Sequence, residues 1–169
     1  ADSTPTGTSV SNRQTADDEV NPLPRSMTEA ERGLPLPPAP FGLRTPPSGT
    51  VYCPPEYAEC DGLLIRWGSF NTILTDLAVG ATVQDPTAKM YVVVSGASQQ
   101  SSAYSTLSSA GCDMNRIEFV TAPTDSVWIR DYGPRFIMEN GSRAIVDHTY
   151  NRPRYNDNDI PGEIAAQWG

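Results

Sequence analysis

Proline is distributed very unevenly along this chain, and that restricts where regular structure can form. Eleven of the 16 prolines lie before residue 56. Proline has no backbone N–H and a fixed φ, so a segment this rich in it is a poor source of helix interiors and central strands. The sequence therefore predicts that residues 35–55 form an extended, polyproline-like wrap, and that the core is built from the residues after Cys60.

The N-terminal region divides near residue 22. Residues 1–21 are rich in Ser, Thr, Asp and Asn and contain few apolar side chains. Burial cannot offset the entropy of ordering such a segment, so we expect a disordered or loosely attached arm followed by one domain over 22–169. Ser26–Glu29 has capping-box spacing and predicts a short helix that ends near Arg32.

The middle of the chain alternates between two apolar patterns. Runs of β-branched residues indicate strands, and apolar residues at helical spacing indicate helices. Strand, helix, strand, helix, strand at this spacing is typical of crossover connections, so the predicted fold class is α/β. The segments are strand 62–67, helix 70–84, strand 89–94, helix 98–109 and strand 116–120.

The last third of the chain has a different pattern. Residues 135–138 and 143–149 flank Asn140-Gly141, the favoured pair for a type I′ turn, and predict an antiparallel hairpin beside the crossover units. A polar, turn-rich segment follows, and a helix is expected to begin at Glu163. Because the sequence stops within that helix at Gly169, we expect a fragment or one product of cleavage.

The net charge of -8 bears on which classes of ligand the chain can bind. Phosphate binding needs clustered Lys and Arg, so nucleic acid is not expected, whereas an acidic surface suits cationic substrates. No apolar run approaches the roughly 20 residues that span a bilayer, so no membrane association is expected. The chain begins at Ala1 without Met, which fits removal of a secretion signal, so we expect a secreted or periplasmic protein.

Three cysteines and a single histidine bear on redox and metal chemistry. Cys53 and Cys60 bracket a short segment and could close a small disulfide loop in an oxidising compartment; two free or differently paired thiols are the alternative. Cys112 is expected to be a core thiol, the alternative being a partner cysteine outside the chain. One His and no Cys-x-x-Cys pair argue against zinc, and we expect no metal or cofactor.

The candidate functional residues lie in the connection Thr124–Pro134, between a strand and the hairpin. It places an aromatic ring, a cation and a carboxylate within four positions, at Trp128, Arg130 and Asp131. A guanidinium can stack on an indole while a carboxylate accepts two parallel N–H bonds from it. The residues alone favour the alternative, a structural Arg130–Asp131 ion pair with Trp128 filling the core.

The segment Trp-Ile-Arg-Asp-Tyr-Gly-Pro at 128–134 resembles the Trp-x-Arg-Asp-x-Gly-Pro signature of the bacterial-type peptidyl-arginine deiminase and agmatine deiminase family. Pro55–Trp67 is similar to the segment that leads into the first core strand of that family. The resemblance spans about 22–161. It implies part of the pentein fold, an α/β propeller of ββαβ-type repeats around a central active site, with this chain forming the first half of the ring.

The resemblance also implies a reaction, the hydrolysis of an arginine guanidinium to citrulline and ammonia. In that family a cysteine thiolate attacks the guanidinium carbon, a histidine acts as acid and base, and water hydrolyses the thiouronium intermediate. By motif match Asp131 is the catalytic residue that grips the guanidinium nitrogens, and Trp128 lies along the substrate side chain. Arg130 is expected to support the loop.

The family's His-x-Asp element and late Gly-rich cysteine segment have no match in this sequence. His148 is expected to be structural, and Cys112 precedes the aspartate loop, the wrong order for the nucleophile. We therefore expect a C-terminal chain of the same precursor to supply the histidine, the second aspartate and the cysteine.

Residues Tyr150–Asp157 resemble the peptidyl-arginine deiminase branch, in which paired arginines bind the free carboxylate of a C-terminal arginine. Arg152 and Arg154 match that pair, and a carboxylate suits a guanidinium fork, although two solvated loop arginines are the alternative. The sequence thus favours deimination of peptides or proteins that end in arginine. Deimination of agmatine or another small guanidine is one alternative, and a non-catalytic module that binds arginine-ended peptides is another.

Overall fold

The computed structural model of the chain describes residues 22–39 and 46–168. The predicted arm at 1–21 and part of the predicted wrap, 40–45, lie outside the described residues. The strands are β1 Val51–Tyr52, β2 Gly62–Arg66, β3 Lys89–Val94, β4 Ile117–Thr121, β5 Arg135–Glu139 and β6 Ser142–Val146. The helices are α1 Asn71–Val79, α2 Ala97–Ser109, α3 Ile129–Tyr132 and α4 Tyr155–Trp168.

The strands form two three-stranded sheets. Parallel strands in the order β2-β3-β4 make one sheet, and α1 and α2 are its crossover helices. Antiparallel strands in the order β1-β5-β6 make the other. All five predicted segments between residues 62 and 121 are therefore confirmed, with α1 extended by a π-helical turn over Gly80–Gln84. The α/β fold class is confirmed.

Strand β3 separates two apolar clusters, because successive side chains of a strand point to opposite faces. Met90, Val92 and Val94 pack with α1 and α2 on one face of the parallel sheet, and Val93 packs on the other face. This second cluster matters for function because it includes Tyr132, which belongs to the loop Thr124–Pro134. Its other members are Val120, Ala122, Tyr150, Ile160 and Ile164.

The predicted hairpin is confirmed. Glu139 pairs with Ser142, and the two residues between them have positive φ, 50° at Asn140 and 82° at Gly141, as a type I′ turn requires. The end of the predicted proline-rich wrap adds a short edge strand, since β1 pairs with β5. The wrap is therefore tied into a sheet at its C-terminal end.

The predicted helix that starts at Ser26 is wrong. The reciprocal capping bonds link Thr28 and Glu31 instead: the Thr28 N–H donates to Glu31 Oε2 at 2.7 Å, and the Glu31 N–H donates to Thr28 Oγ1 at 3.3 Å. Only one 3₁₀ turn follows, over Glu31–Gly33. Ser26–Glu29 and Thr28–Glu31 both have capping-box spacing. The bonds form at Thr28 and Glu31 because the Glu31 carboxylate also binds the buried guanidinium of Arg154.

The predicted start of the last helix at Glu163 is also wrong, because α4 begins at Tyr155. The Asn and Asp residues before Pro161 predict turns, because their side chains compete with the backbone for hydrogen bonds. In the structure Asp157 and Asn158 bond to other segments, and Pro161 is buried inside the helix. At 14 residues α4 is the longest described helix, and no helix in the described ranges is both long and apolar enough to cross a bilayer.

Two cysteine predictions have different outcomes. Cys53 and Cys60 are free, exposed thiols, so the disulfide considered for them is not formed. Cys53 follows β1 of one sheet and Cys60 precedes β2 of the other, so each end of the segment is fixed to a different sheet. Cys112 is buried in the core, as predicted, and burial raises the pKa of its thiol.

Candidate guanidinium-binding site

The loop predicted to carry the functional residues contains one helical turn, α3. Gly133 closes this turn through an N–H bond to the Ile129 carbonyl at 2.6 Å, where a Cβ would lie only 2.5 Å from that oxygen. Tyr132 anchors the turn, because its buried hydroxyl donates to the Ser126 carbonyl at 2.6 Å. Consecutive residues of a helix point in different directions, so Arg130 and Asp131 meet different partners.

Asp131 binds a guanidinium in this structure, that of Arg25. Arg25 Nε donates to Asp131 Oδ2 at 2.9 Å and Nη2 donates to Oδ1 at 3.2 Å, a two-pronged contact. The pair lies at the surface, with the Arg25 side chain 70% exposed and that of Asp131 26% exposed. The contact raises the pKa of Arg25. The carboxylate of Asp131 is therefore positioned to hold a planar cation.

Arg130 forms its ion pair with Glu56. The contact lowers the pKa of Glu56 and raises that of Arg130. Both side chains are exposed, so the pair adds little stability, but it joins α3 to the segment between β1 and β2. The alternative of a structural Arg130–Asp131 pair is not what the structure shows, and the contact with Glu56 is what a supporting role for Arg130 requires.

A pocket of about 700 Å³ opens beside Asp131. Three of the four residues predicted to bind substrate lie together in its wall: Trp128, Asp131 and Arg152. The pocket carries more positive than negative side chains, although the whole chain is acidic. The other lining residues are Arg25, Ser26, Arg135, Tyr150 and Asn151.

The segment Leu23–Ser26 lies against this pocket through its backbone. Trp128 Nε1 donates to the Leu23 carbonyl at 2.8 Å, and Arg152 Nε donates to the Arg25 carbonyl at 3.1 Å. Trp128 thus contacts the segment with the N–H edge of its indole. Its predicted contact along a substrate side chain stays a prediction.

Arg154 does not join Arg152 in the pocket wall. Its guanidinium is buried and donates to Glu31 Oε1 at 2.8 Å and to the Pro24 carbonyl at 2.7 Å. These bonds lower the pKa of Glu31 to about 2, chiefly through the bond from Arg154. The predicted fork of two arginines is therefore not formed, because Arg154 is committed to a buried ion pair that holds the N-terminal segment.

Comparison with known proteins identifies the family. Residues 52–168 match the family model described as Porphyromonas-type peptidyl-arginine deiminase. The chain belongs to this family. Among solved structures it is similar to C. jejuni agmatine deiminase, with 22% identity and a TM-score of 0.52. It is also similar to a cysteine-to-serine variant of C. jejuni agmatine deiminase with substrate bound, with 20% identity and a TM-score of 0.54.

These structural neighbours fix the fold. Each comparison covers 70% of this chain and 37% of the neighbour, so the chain spans a little over a third of the length of the enzymes it matches. The matched region contains both sheets and the turn that carries Asp131. The expected pentein architecture, in part, is thereby confirmed for this member of the deiminase family.

Several residues of the site could not be selected from the sequence. Arg25 lies in a proline-rich segment without a motif, and the sequence pattern predicts only the start of a loop at Tyr150. The Tyr150 hydroxyl is buried and bonds to no described residue, and burial raises its pKa. His148 Nε2 lies 3.3 Å from the Asp131 carbonyl. The sequence carries one signal for Tyr150, a large aromatic side chain in an otherwise polar segment, because such a ring gains stability when it is buried.

Asp157 on α4 binds the start of the loop that carries Asp131. The Asp157 carboxylate accepts the Asp125 N–H at 2.8 Å, the Ser126 N–H at 3.1 Å and the Ser126 hydroxyl at 2.6 Å. Asp157 is fully buried, and burial raises its pKa. It therefore determines where the chain enters the turn that carries Trp128 and Asp131.

Proposed function

We propose that this chain forms the guanidinium-binding part of a peptidyl-arginine deiminase, which converts a C-terminal arginine of peptides or proteins to citrulline. The observation that carries the proposal is the two-pronged bond between the Asp131 carboxylate and the guanidinium of Arg25. Membership of the Porphyromonas-type family supports the reaction class. In this reaction water supplies the ureido oxygen, one C–N bond of the guanidinium breaks, and ammonia leaves.

Asp131 contributes orientation and charge to that reaction. A carboxylate on two guanidinium nitrogens holds the cation in one plane and fixes the face that its carbon presents to a nucleophile. The attacking cysteine and the acid–base histidine are proposed to come from a C-terminal partner chain. Within the described residues Cys112 is buried and its pKa is raised, so it is a poor nucleophile.

Arg152 is the residue proposed to select a C-terminal arginine. Its Nε donates to the carbonyl oxygen of Arg25, the place where a terminal arginine would present a carboxylate. A charged acceptor there strengthens the bond. Arg154 would act indirectly, since its guanidinium is bonded to Glu31.

Replacement of Asp131 by Asn tests the proposal. The variant keeps the size of the side chain but loses the charge and one acceptor, so an acetylated peptide that ends in arginine should bind at least about tenfold more weakly, measured by calorimetry. Asp76→Asn removes the same charge from an exposed position on α1 and should leave the affinity unchanged. Equal affinity of Asp131→Asn and the wild-type chain would contradict the proposal. Once the partner chain is present, release of citrulline should fall with the affinity.

Replacement of Arg152 by Gln tests the selection of the carboxylate. The wild-type chain should bind the peptide with a free C-terminus about tenfold more tightly than its amidated twin, since a charged acceptor strengthens a hydrogen bond. Arg152→Gln should reduce that ratio to about one while the amidated peptide binds as before. Agmatine, which has no carboxylate, is the second probe. If agmatine binds the wild-type chain as tightly as the arginine-ended peptide, a small-guanidine deiminase is the better assignment, as the name of the structural neighbours, agmatine deiminase, suggests.

A further inference from the structure

The backbone of Leu23–Ser26 is bound as proteins bind an extended peptide. Four consecutive carbonyl oxygens accept bonds from side chains of the site region: Leu23 from Trp128 at 2.8 Å, Pro24 from Arg154 at 2.7 Å, Arg25 from Arg152 at 3.1 Å and Ser26 from Arg154 at 3.4 Å. Contacts to main-chain carbonyls combined with one selected side chain give a peptide affinity and register. Here the selected side chain is Arg25, on Asp131.

We propose that Leu23–Ser26 is an intramolecular ligand of the guanidinium site, and that an arginine substrate binds only after displacing it. The inference rests on the proposed function, because it assigns to Arg25 the position of a substrate arginine.

Displacement is feasible because the contact that fills the site is exposed. The Arg25 side chain is 70% open to solvent, and exposed ion pairs are weak and screened by salt. A ligand that must compete with a bound segment has its apparent dissociation constant raised by the reciprocal of the open fraction. A weak competitor of this kind shifts affinity by roughly three- to tenfold, enough to measure and little enough for a substrate to overcome.

The Tyr150 hydroxyl gives the open site a further donor. It is buried and finds no partner in the part of the chain that the structure describes, although its residue lines the pocket with Arg25 and Arg152. A buried hydroxyl without a partner is costly, so a substrate that reaches it gains a bond that the resident segment does not make. This additional hydrogen bond makes the binding of a substrate more favourable than the binding of Leu23–Ser26.

Replacement of Arg25 by Ala tests the inference in the full chain. The acetylated peptide that ends in arginine should bind this variant roughly three- to tenfold more tightly than the wild-type chain, because the guanidinium that competes for Asp131 is gone. Arg32→Ala is the matched control: it removes the same charge seven positions further along the chain, where Arg32 pairs with exposed Glu29, and should leave the affinity unchanged. An equal gain in both variants would show a general charge effect and would overturn the inference.

A second measurement uses the wild-type chain and does not depend on a variant that folds. Addition of the arginine-ended peptide should speed tryptic cleavage after Arg25 several-fold, with cleavage after Arg32 as the internal reference. A peptide of residues 22–27, acetylated and amidated, should in turn bind the Arg25→Ala chain and compete with the arginine-ended peptide, whereas its analogue with citrulline at the arginine should not.

The outcomes separate this inference from the proposed function. If Asp131→Asn abolishes binding of the arginine-ended peptide while Arg25→Ala leaves it unchanged and cleavage after Arg25 is not accelerated, the segment is not a competitor and the proposed function stands. If Asp131→Asn has no effect on binding, the proposed function itself fails.

Discussion

Replacing Glu31 with Gln is expected to lower the free energy of unfolding by about 3 kcal/mol, the usual scale for breaking a buried ion pair from one side. The variant leaves the Arg154 guanidinium buried without its counter-charge, where Glu31 accepts bonds at 2.8 and 3.3 Å. Only 1% of the Arg154 side chain and 10% of the Glu31 side chain are exposed, so water cannot replace the lost partner. Denaturant unfolding followed by circular dichroism measures the change.

Glu29→Gln is the matched control for this prediction. Glu29 belongs to the same segment, but its side chain is 93% exposed and pairs with Arg32 at the surface. Its replacement should change the free energy of unfolding by less than about 0.5 kcal/mol, as surface substitutions usually do. Similar losses in the two variants would show that overall charge, rather than the buried pair, determines stability.

The effect of Glu31 should depend on pH with a definite sign. The folded-state pKa of Glu31 is about 2, below the ordinary value of about 4.3, so its contribution to stability is complete above the ordinary pKa. The contribution is lost as the pH falls toward 2. The difference in unfolding free energy between the wild-type chain and Glu31→Gln should therefore be full at pH 6 and shrink below about pH 4.5. A difference that is constant from pH 6 to pH 3 would contradict this account.

Replacing Asp157 with Ala is expected to cost about 3 kcal/mol. Three donors of Asp125 and Ser126 lose their acceptor, and a buried donor left without a partner costs roughly 1–3 kcal/mol. The loop above should also lose its fixed position, so the variant should bind the arginine-ended peptide more weakly although Asp157 does not line the pocket. Unfolding by denaturant and peptide titration give the two readouts.

Asp157→Asn is the conservative counterpart. Its carbonyl oxygen can still accept the two backbone N–H groups, and its amide can donate to the Ser126 hydroxyl, which then acts as acceptor. Burial raises the pKa of Asp157, so the loss of its charge also removes a desolvation cost. We expect a loss below about 1.5 kcal/mol and near-normal peptide binding. A loss as large as that of the Ala variant would show that the charge, rather than the bonding pattern, holds the loop.

The sequence predicted elements well where one local pattern determined the outcome. Strand β3 ends in three consecutive β-branched valines, Val92–Val94. The pair Asn140-Gly141 is almost sufficient to specify the tight turn between β5 and β6. Predictions failed where a distant partner decided between two local patterns. The capping box formed at Thr28 because Glu31 meets Arg154 across 123 positions of sequence, and α4 began at Tyr155 because Asp157 bonds to a loop 31 positions away.

The candidate site shows the same division. The motif at 128–134 selected Trp128 and Asp131, and the structure places both in one pocket wall with Arg152. The resemblance places Arg154 beside Arg152, only two positions away. In the structure one intervening proline and the start of α4 direct the Arg154 side chain into the interior. Arg25 was not selected at all, since neither spacing nor composition connects residue 25 with residue 131.

Two ion pairs hold residues 22–33 against the rest of the chain, and they differ greatly in burial. The Arg154–Glu31 pair is enclosed, whereas the Arg25–Asp131 pair is open to solvent. Rising ionic strength weakens the open pair far more than the enclosed one. Concentrated salt should therefore release the Arg25 side chain from Asp131, while the buried Arg154–Glu31 pair keeps residue 31 in place. Because Arg25 stays tethered beside Asp131, its effective concentration there remains high, and the ion pair re-forms independently of the protein concentration.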